Sequence, residues 1–257
     1  LSPVAVMDIE IHNGNLVEPI RHACVKCPDS DVVEQAEPHT PTRLGVVARR
    51  ADRAERIGRI AGDDGIDGGD DGGQATSEPV ALLSDLCAEL GRGPIGAGAL
   101  LQLDLKEGAG ALSDEDVRAF SAAVGPVADC VILSGGDAAA VARLSESVPG
   151  LRVGHDPCHD GAAERLAESG DDAGFVAQAL RDAEEARMVY LAIPVILGAS
   201  SRGFDMIAAF HDAGVRIDAY TVTGVTDDTA ALCRTLMDRG VDQITTDNPE
   251  GLYAALA

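Results

Sequence analysis

The sequence predicts an α/β protein of the (β/α)₈ TIM-type barrel class. Three observations carry that prediction. Short apolar runs alternate with amphipathic stretches along most of the chain, a pattern that builds a parallel sheet flanked by helices. Glycine stands between helix and strand in Gly214-Val215-Arg216-Ile217 and in Gly240-Val241-Asp242-Gln243-Ile244, where it can end a helix and feed the next strand. No glycine-rich dinucleotide fingerprint follows the first apolar run, which favours a closed barrel over an open doubly wound sheet.

In chain order, strands are expected at residues 4–11, 100–105, 127–133, 151–153, 188–193, 215–222 and 241–245. Amphipathic helices are expected at 81–90, 113–124, 137–147, 173–186, 203–213 and 226–239. Residues 62–77, rich in Asp and Gly, read as a solvated, flexible acidic loop. They lack the twelfth-position Glu and flanking helices of a calcium-binding EF-hand. The chain is therefore read as one barrel domain over residues 1–257.

Composition narrows the partners. The 43 Asp+Glu against 20 Lys+Arg give a formal net charge of −23, a field that disfavours nucleic-acid backbones and anionic membrane surfaces. A phosphate-bearing ligand would need a local cation, and Lys26 and Lys106 are the only lysines. Aromatic residues make up 3% with no Trp, leaving few platforms on which bases could stack. No apolar run reaches the roughly 18–20 residues of a membrane span. The chain opens Leu1-Ser2-Pro3 without Met, as a processed or incomplete N-terminus would. Six cysteines (Cys24, Cys27, Cys87, Cys130, Cys158 and Cys233) are spread thinly, which points to a reducing, cytoplasmic compartment rather than a disulfide framework. Cys87, Cys130 and Cys233 sit in apolar stretches and read as buried small hydrophobes.

Several residues could carry chemistry. In Leu101-Gln102-Leu103-Asp104-Leu105-Lys106, Asp104 and Lys106 share a strand face, roughly 6.5–7 Å apart along the backbone. A carboxylate and a cation at the C-terminal end of a barrel strand can hold a metal and an anion together; in isolation the pair reads equally as a structural ion pair. In Met7-Asp8-Ile9-Glu10-Ile11 both acids point to one face, and hard divalent cations prefer such oxygen ligands. An edge strand with its polar face in water would give the same alternation. Cys24-x-x-Cys27 with His22, and His155-x-x-Cys158-His159, invite a zinc reading. It falls short of two paired CxxC motifs, and thiolates would select Zn²⁺ over Mg²⁺ or Ca²⁺. Near the C-terminus, 215–223 holds Tyr220, Thr221 and Thr223, and 239–249 runs Arg-Gly-Val-Asp-Gln-Ile-Thr-Thr-Asp-Asn-Pro. Asp247-Asn248-Pro249 can also simply turn the chain into a last helix.

The 239–249 stretch closely resembles the Gly-Val-Asp-x-Ile-x-Thr-Asp-x-Pro motif of glycerophosphodiester phosphodiesterases. The 215–223 stretch is similar to that family's Trp-Thr-Val-Asn strand, with Tyr220 at the Trp position and Thr223 at the Asn position. Residues 101–106 resemble its Leu-x-Ile-Glu-Ile-Lys strand with Asp104 for Glu, and 7–11 resemble its Glu-x-Asp strand with the acids exchanged. Asn13-Gly14-Asn15-Leu16-Val17 followed by Arg21-His22 resembles the turn and the His-bearing segment that come next, with Ala23 for Asp. The similarity runs over roughly residues 6–257 and is weakest between 18 and 76. The family's His-Arg-Gly motif, carried on its first strand, occurs nowhere in the chain, so the resemblance implies a barrel whose first βα unit is missing or atypical here.

The resemblance implies a hydrolase that splits a glycerophosphodiester into an alcohol and glycerol phosphate, part of lipid metabolism. Asp8, Glu10 and Asp104 would hold a divalent metal, Mg²⁺ or Ca²⁺ in preference to Zn²⁺. Lys106 would lie at the phosphate, His22 (or His12 by position) would transfer protons, and Tyr220 and Thr223 would contact substrate. The loss of His-Arg-Gly implies the alternative: a catalytically silent barrel that binds a phosphate-bearing ligand or a protein. An aldolase or isomerase barrel is disfavoured by the C-terminal motif. The expected partner is a small phosphodiester; the sequence does not set the oligomeric state.

Overall fold

The computed structural model describes residues 6–12, 16–26, 81–92 and 100–257, the first two segments as backbone. The 62–77 loop lies outside the described residues. In chain order the elements are β1 (Val6–His12), β2 (Leu16–Lys26), β3 (Ala81–Leu82), α1 (Leu83–Leu90), β4 (Leu100–Leu105), α2 (Asp114–Val124), β5 (Val131–Gly135), α3 (Ala138–Ser145), β6 (Arg152–His155), α4 (Ala162–Ser169), α5 (Asp172–Asp182), β7 (Met188–Ala192), α6 (Ile193–Ser201), α7 (Met206–Asp212), β8 (Arg216–Val222), α8 (Asp227–Asp238), β9 (Gln243–Thr246) and α9 (Pro249–Leu256).

The strands β1-β4-β5-β6-β7-β8-β9 pair in that order, each parallel to the next. β2 runs antiparallel and pairs with β1 on one side and β9 on the other, joining the two edges of the parallel sheet. The fold is thus a TIM-type barrel with an atypical start, a β1–β2 hairpin taking the place of a parallel βα unit. The sequence reading does not anticipate β2 as a strand, because Pro19 and the polar residues from Glu18 to His22 break the period-2 signal.

Alternation along the strands sorts side chains onto two faces. Leu101, Leu103, Leu105, Val131 and Leu133 join the apolar layer under α1–α3. Val189, Leu191, Ile217, Ala219 and Ile244 join the one under α5–α9. On the opposite, inner face, Ile132, Met188 and Tyr190 pack together with Leu100 and Tyr220. In β8 the alternation slips: Ala219 and Val222 both reach the helix-facing layer, and the pairing with β9 shifts register between them.

Local chemistry explains the element ends. Ser113 and Asp116 form a capping box on α2, and Thr226 and Thr229 form one on α8. Asp137, Asp171, Asp205 and Asn248 each accept from a backbone N–H in the first turn of α3, α5, α7 and α9. Such caps satisfy donors that the helix leaves open. Gly214 and Gly240 take positive φ of 78° and 98°, as helix-stopping glycines must. Several boundaries differ from expectation, and two of them have a local cause. β5 begins at Val131, because Val127 and Ala128 are buried within a 3₁₀ turn over Gly125–Cys130 that opens with Pro126. Ile193 starts α6, with Pro194 in its first turn, where the missing N–H costs nothing. Cys87 and Cys233 are buried as expected, but Cys130 is only half-buried at the end of that turn. No single helix among the described residues is long and apolar enough to cross a membrane.

Candidate functional site

The C-terminal ends of the parallel strands meet at one mouth, where loops of barrel enzymes carry function. Asp104 stands near the end of β4 and Lys106 directly after it. Their side chains meet, with the Lys106 ammonium donating to Asp104 Oδ2 at 2.5 Å; Asp104 is 15% exposed and Lys106 37%. The shared face read from the sequence is therefore realised. In the parallel β1–β4 ladder Glu10 pairs with Asp104 and Asp8 with Gln102, so the three acids come from two adjacent strands in register. The side chains of Asp8, Glu10 and His22 lie outside the described residues. His22 is carried on β2, next to the place where its register with β1 shifts.

One strand further, Gln102 donates to Ser134 Oγ at 3.2 Å in the buried interior. Both residues face inward in register, Gln102 opposite Ile132 and Ser134 opposite Asp104. Asp137, past the end of β5, accepts from Ala140 and Ala109 N–H. Burial would raise its carboxyl, but these donors and Ala139 N–H, helped by nearby His159, outweigh it and hold the group below the usual carboxylate range.

On β6, Gly154 faces the interior: a Cβ there would meet Tyr190, Ser134 and Ile132. The next residues therefore alternate, His155 toward the helices and Asp156 toward the mouth. Asp156 Oδ1 accepts from Cys158 N–H at 2.8 Å and from the Tyr220 hydroxyl at 3.1 Å. Burial pushes the Tyr220 phenol above its ordinary value, and Cys158 and Asp156 beside it add to the effect, so the hydroxyl stays protonated and remains a donor. Burial likewise pushes the Cys158 thiol up to about 12.

Tyr220 thus sits at the mouth, half-buried and tied from β8 to Asp156 at the end of β6. Thr223 lies past β8 and is exposed. In the C-terminal motif, Thr245 is buried and donates to Asp218 Oδ1 at 2.8 Å, and Asn248 caps α9 through Gly251 N–H; the turn-and-cap role of Asp247-Asn248-Pro249 is real. His155 is 2% exposed, and among the described residues neither ring nitrogen has a hydrogen-bond partner. His155, Cys158 and His159 do not converge: among the described residues no three His, Cys, Asp or Glu side chains are grouped to hold an ion. Sequence reasoning noted the stretch holding Asp156 but not its role. The only available signal was an acid three residues beyond the strand expected at 151–153.

This geometry defines a barrel with an acid–lysine pair and a tyrosine–aspartate bridge at its C-terminal mouth. The same fold occurs in a candidate glycerophosphodiester phosphodiesterase from Galdieria sulphuraria, 14% identical, with a TM-score of 0.53 over 97% of this chain and 84% of that one. Weaker likenesses, each with a TM-score of 0.45 over 69% of this chain, are a candidate glycerophosphoryl diester phosphodiesterase from Silicibacter pomeroyi and a glycerophosphodiester phosphodiesterase from Parabacteroides distasonis, at 21% and 18% identity. The matched part spans 56% and 64% of those two chains. No protein-family model and no curated protein matches the sequence.

Proposed function

We propose that this chain is a metal-dependent phosphodiesterase that hydrolyses glycerophosphodiesters to an alcohol and glycerol phosphate. The observation that carries the reading is the Asp104–Lys106 pair at the end of β4, with Glu10 beside Asp104 in register. Its donor set, carboxylate oxygens from two neighbouring strands, fits a hard divalent cation such as Mg²⁺ or Ca²⁺. Asp8, Glu10 and Asp104 would hold that ion, which supplies polarisation of the phosphoryl oxygens when bound. The Lys106 ammonium attracts the phosphate and offsets the repulsion of a chain with a net charge of −23. Tyr220 and Thr223 would contact substrate, and His22 would take a proton from the attacking water. The fold shared with the Galdieria sulphuraria protein over nearly the whole chain supports the same reading.

The test is release of glycerol 3-phosphate from glycerophosphodiesters with and without Mg²⁺ or Ca²⁺, for the wild type and Asp104→Ala. Metal-dependent release that falls at least about 100-fold in the variant is expected, as for loss of a group acting on the reacting phosphate. Metal binding without turnover would instead favour a silent barrel that binds phosphate-bearing ligands.

A further inference from the structure

Breaking a phosphodiester leaves an alkoxide, which needs a proton as it departs. The inference therefore rests on the phosphodiesterase reading and asks which group of this chain supplies that proton. Three imidazoles have described side chains. His155 is buried on the helix-facing side of β6. His211, at the end of α7, is held by Asp242 Oδ2 at 2.8 Å in the turn that leads into β9, at the N-terminal end of the strands. That leaves His159, in the turn between β6 and α4, at the C-terminal mouth.

The position of His159 is set from two sides. Its ring lies against Gly136, just past β5: a Cβ on that glycine would be 2.3 Å from His159 Cγ and 2.7 Å from Cδ2. Only a residue without a side chain leaves room for the ring. Since Leu105 pairs with Gly135, Gly136 and Lys106 are the next residues along neighbouring strands, spaced about 4.8 Å apart. The imidazole thus stands one strand over from the lysine that would face the phosphate. On its other side, Nδ1 lies 3.0 Å from Asp160 Oδ2. A proton on Nδ1 donated to that carboxylate orients the ring and leaves Nε2 for a ligand. The turn is pinned in place: Arg165 Nη1 donates to Asp160 O at 2.7 Å, and Ala162 N–H donates to His159 O at 2.9 Å. The ring is 39% exposed, open enough for a substrate to reach.

From this geometry we infer that His159 is a catalytic residue, the general acid that protonates the departing alcohol. Water oxygen bonds to phosphorus as the bond from phosphorus to the alcohol oxygen breaks. The protonated imidazole gives its Nε2 proton to that oxygen, and the water gives up one proton to a base or to solvent. The imidazole regains a proton from solvent, so one water is consumed and no other reactant is needed.

The experiment compares wild type with His159→Gln on two probes: a glycerophosphodiester whose leaving group is an alkyl alcohol, and bis(p-nitrophenyl) phosphate, whose leaving group needs little protonation. The alkyl ester is expected to lose about 10²–10⁴-fold in kcat, and the nitrophenyl ester less than about tenfold. Gly136→Ala, which keeps the histidine but displaces its ring, is expected to show the same selective loss. In metal-free wild type, inorganic phosphate is expected to shift the His159 ring resonances, identified by their absence from the spectrum of His159→Gln. Equal losses on both probes, unchanged turnover in the variants, or ring resonances unmoved by phosphate would overturn the assignment while the phosphodiesterase reading stands. A wild type that turns over neither probe would overturn both.

Discussion

Replacing Gly154 with alanine tests whether the inner face of the sheet is packed as the barrel requires. Gly154 lies in β6 between β5 and β7, and a Cβ at this position would sit 2.6 Å from Tyr190 Cε2, 3.3 Å from Ser134 Cβ and 3.5 Å from Ile132 Cδ1. The last two contacts can be absorbed; the first cannot. Carbon atoms settle at roughly 3.5–4 Å, so the tyrosine ring must retreat by about 1 Å. It has little room, being 3% exposed and packed with Ile132 and Met188, which are themselves buried. Forced overpacking of this kind costs about 1–3 kcal/mol, and in a chain of this length each kcal/mol lowers Tm by about 2–4 °C. The assay is equilibrium urea denaturation with a thermal melt, and Gly110→Ala serves as the control, since a Cβ there meets nothing within 4 Å. The control should stay within about 0.5 kcal/mol of wild type. If Gly154→Ala does the same, Tyr190 does not fill the space behind β6 and the inner face is not packed as described.

Two further outcomes follow from burial. Burial holds the His155 imidazole below its ordinary pKa, partly opposed by Asp156 and Asp182. The unfolded chain therefore binds the proton more readily, and stability falls as pH drops below the unfolded value of about 6.5. His155→Leu should flatten the decline in denaturation midpoint between pH 7 and pH 5, by at most about 1.4 kcal/mol per pH unit; an unchanged slope would show that the ring is not held neutral. With its thiol pushed up to about 12 by burial, Cys158 should resist iodoacetamide at pH 8 in the native protein and react once urea unfolds it. Native labelling at a rate near that of a free thiol would contradict its placement at the Tyr220–Asp156 bridge.

Much of the barrel was legible in the sequence because its signals are local. The apolar run of β4, the glycines at 214 and 240, and the amphipathic stretches beginning at Ser113 and Thr226 each act within a few residues of themselves. The Asp104–Lys106 pairing belongs to the same category: residues two apart on a strand share a face whatever surrounds them. The slip in β8 marks the limit of that rule, since Ala219 and Val222 both face the helices despite standing three apart.

The sequence by itself determined the seven parallel strands and most of the helices between them, the acid–lysine pair and the turn that starts α9. Only the tertiary structure decided that β2 closes the ring, that Tyr220 reaches Asp156 across 64 residues, that His155 turns away from the mouth, and that the space over Gly136 belongs to His159. These are contacts between distant segments, set by how neighbouring strands align and which side chain fills a gap left by glycine. Periodicity along one strand carries no record of the strand beside it.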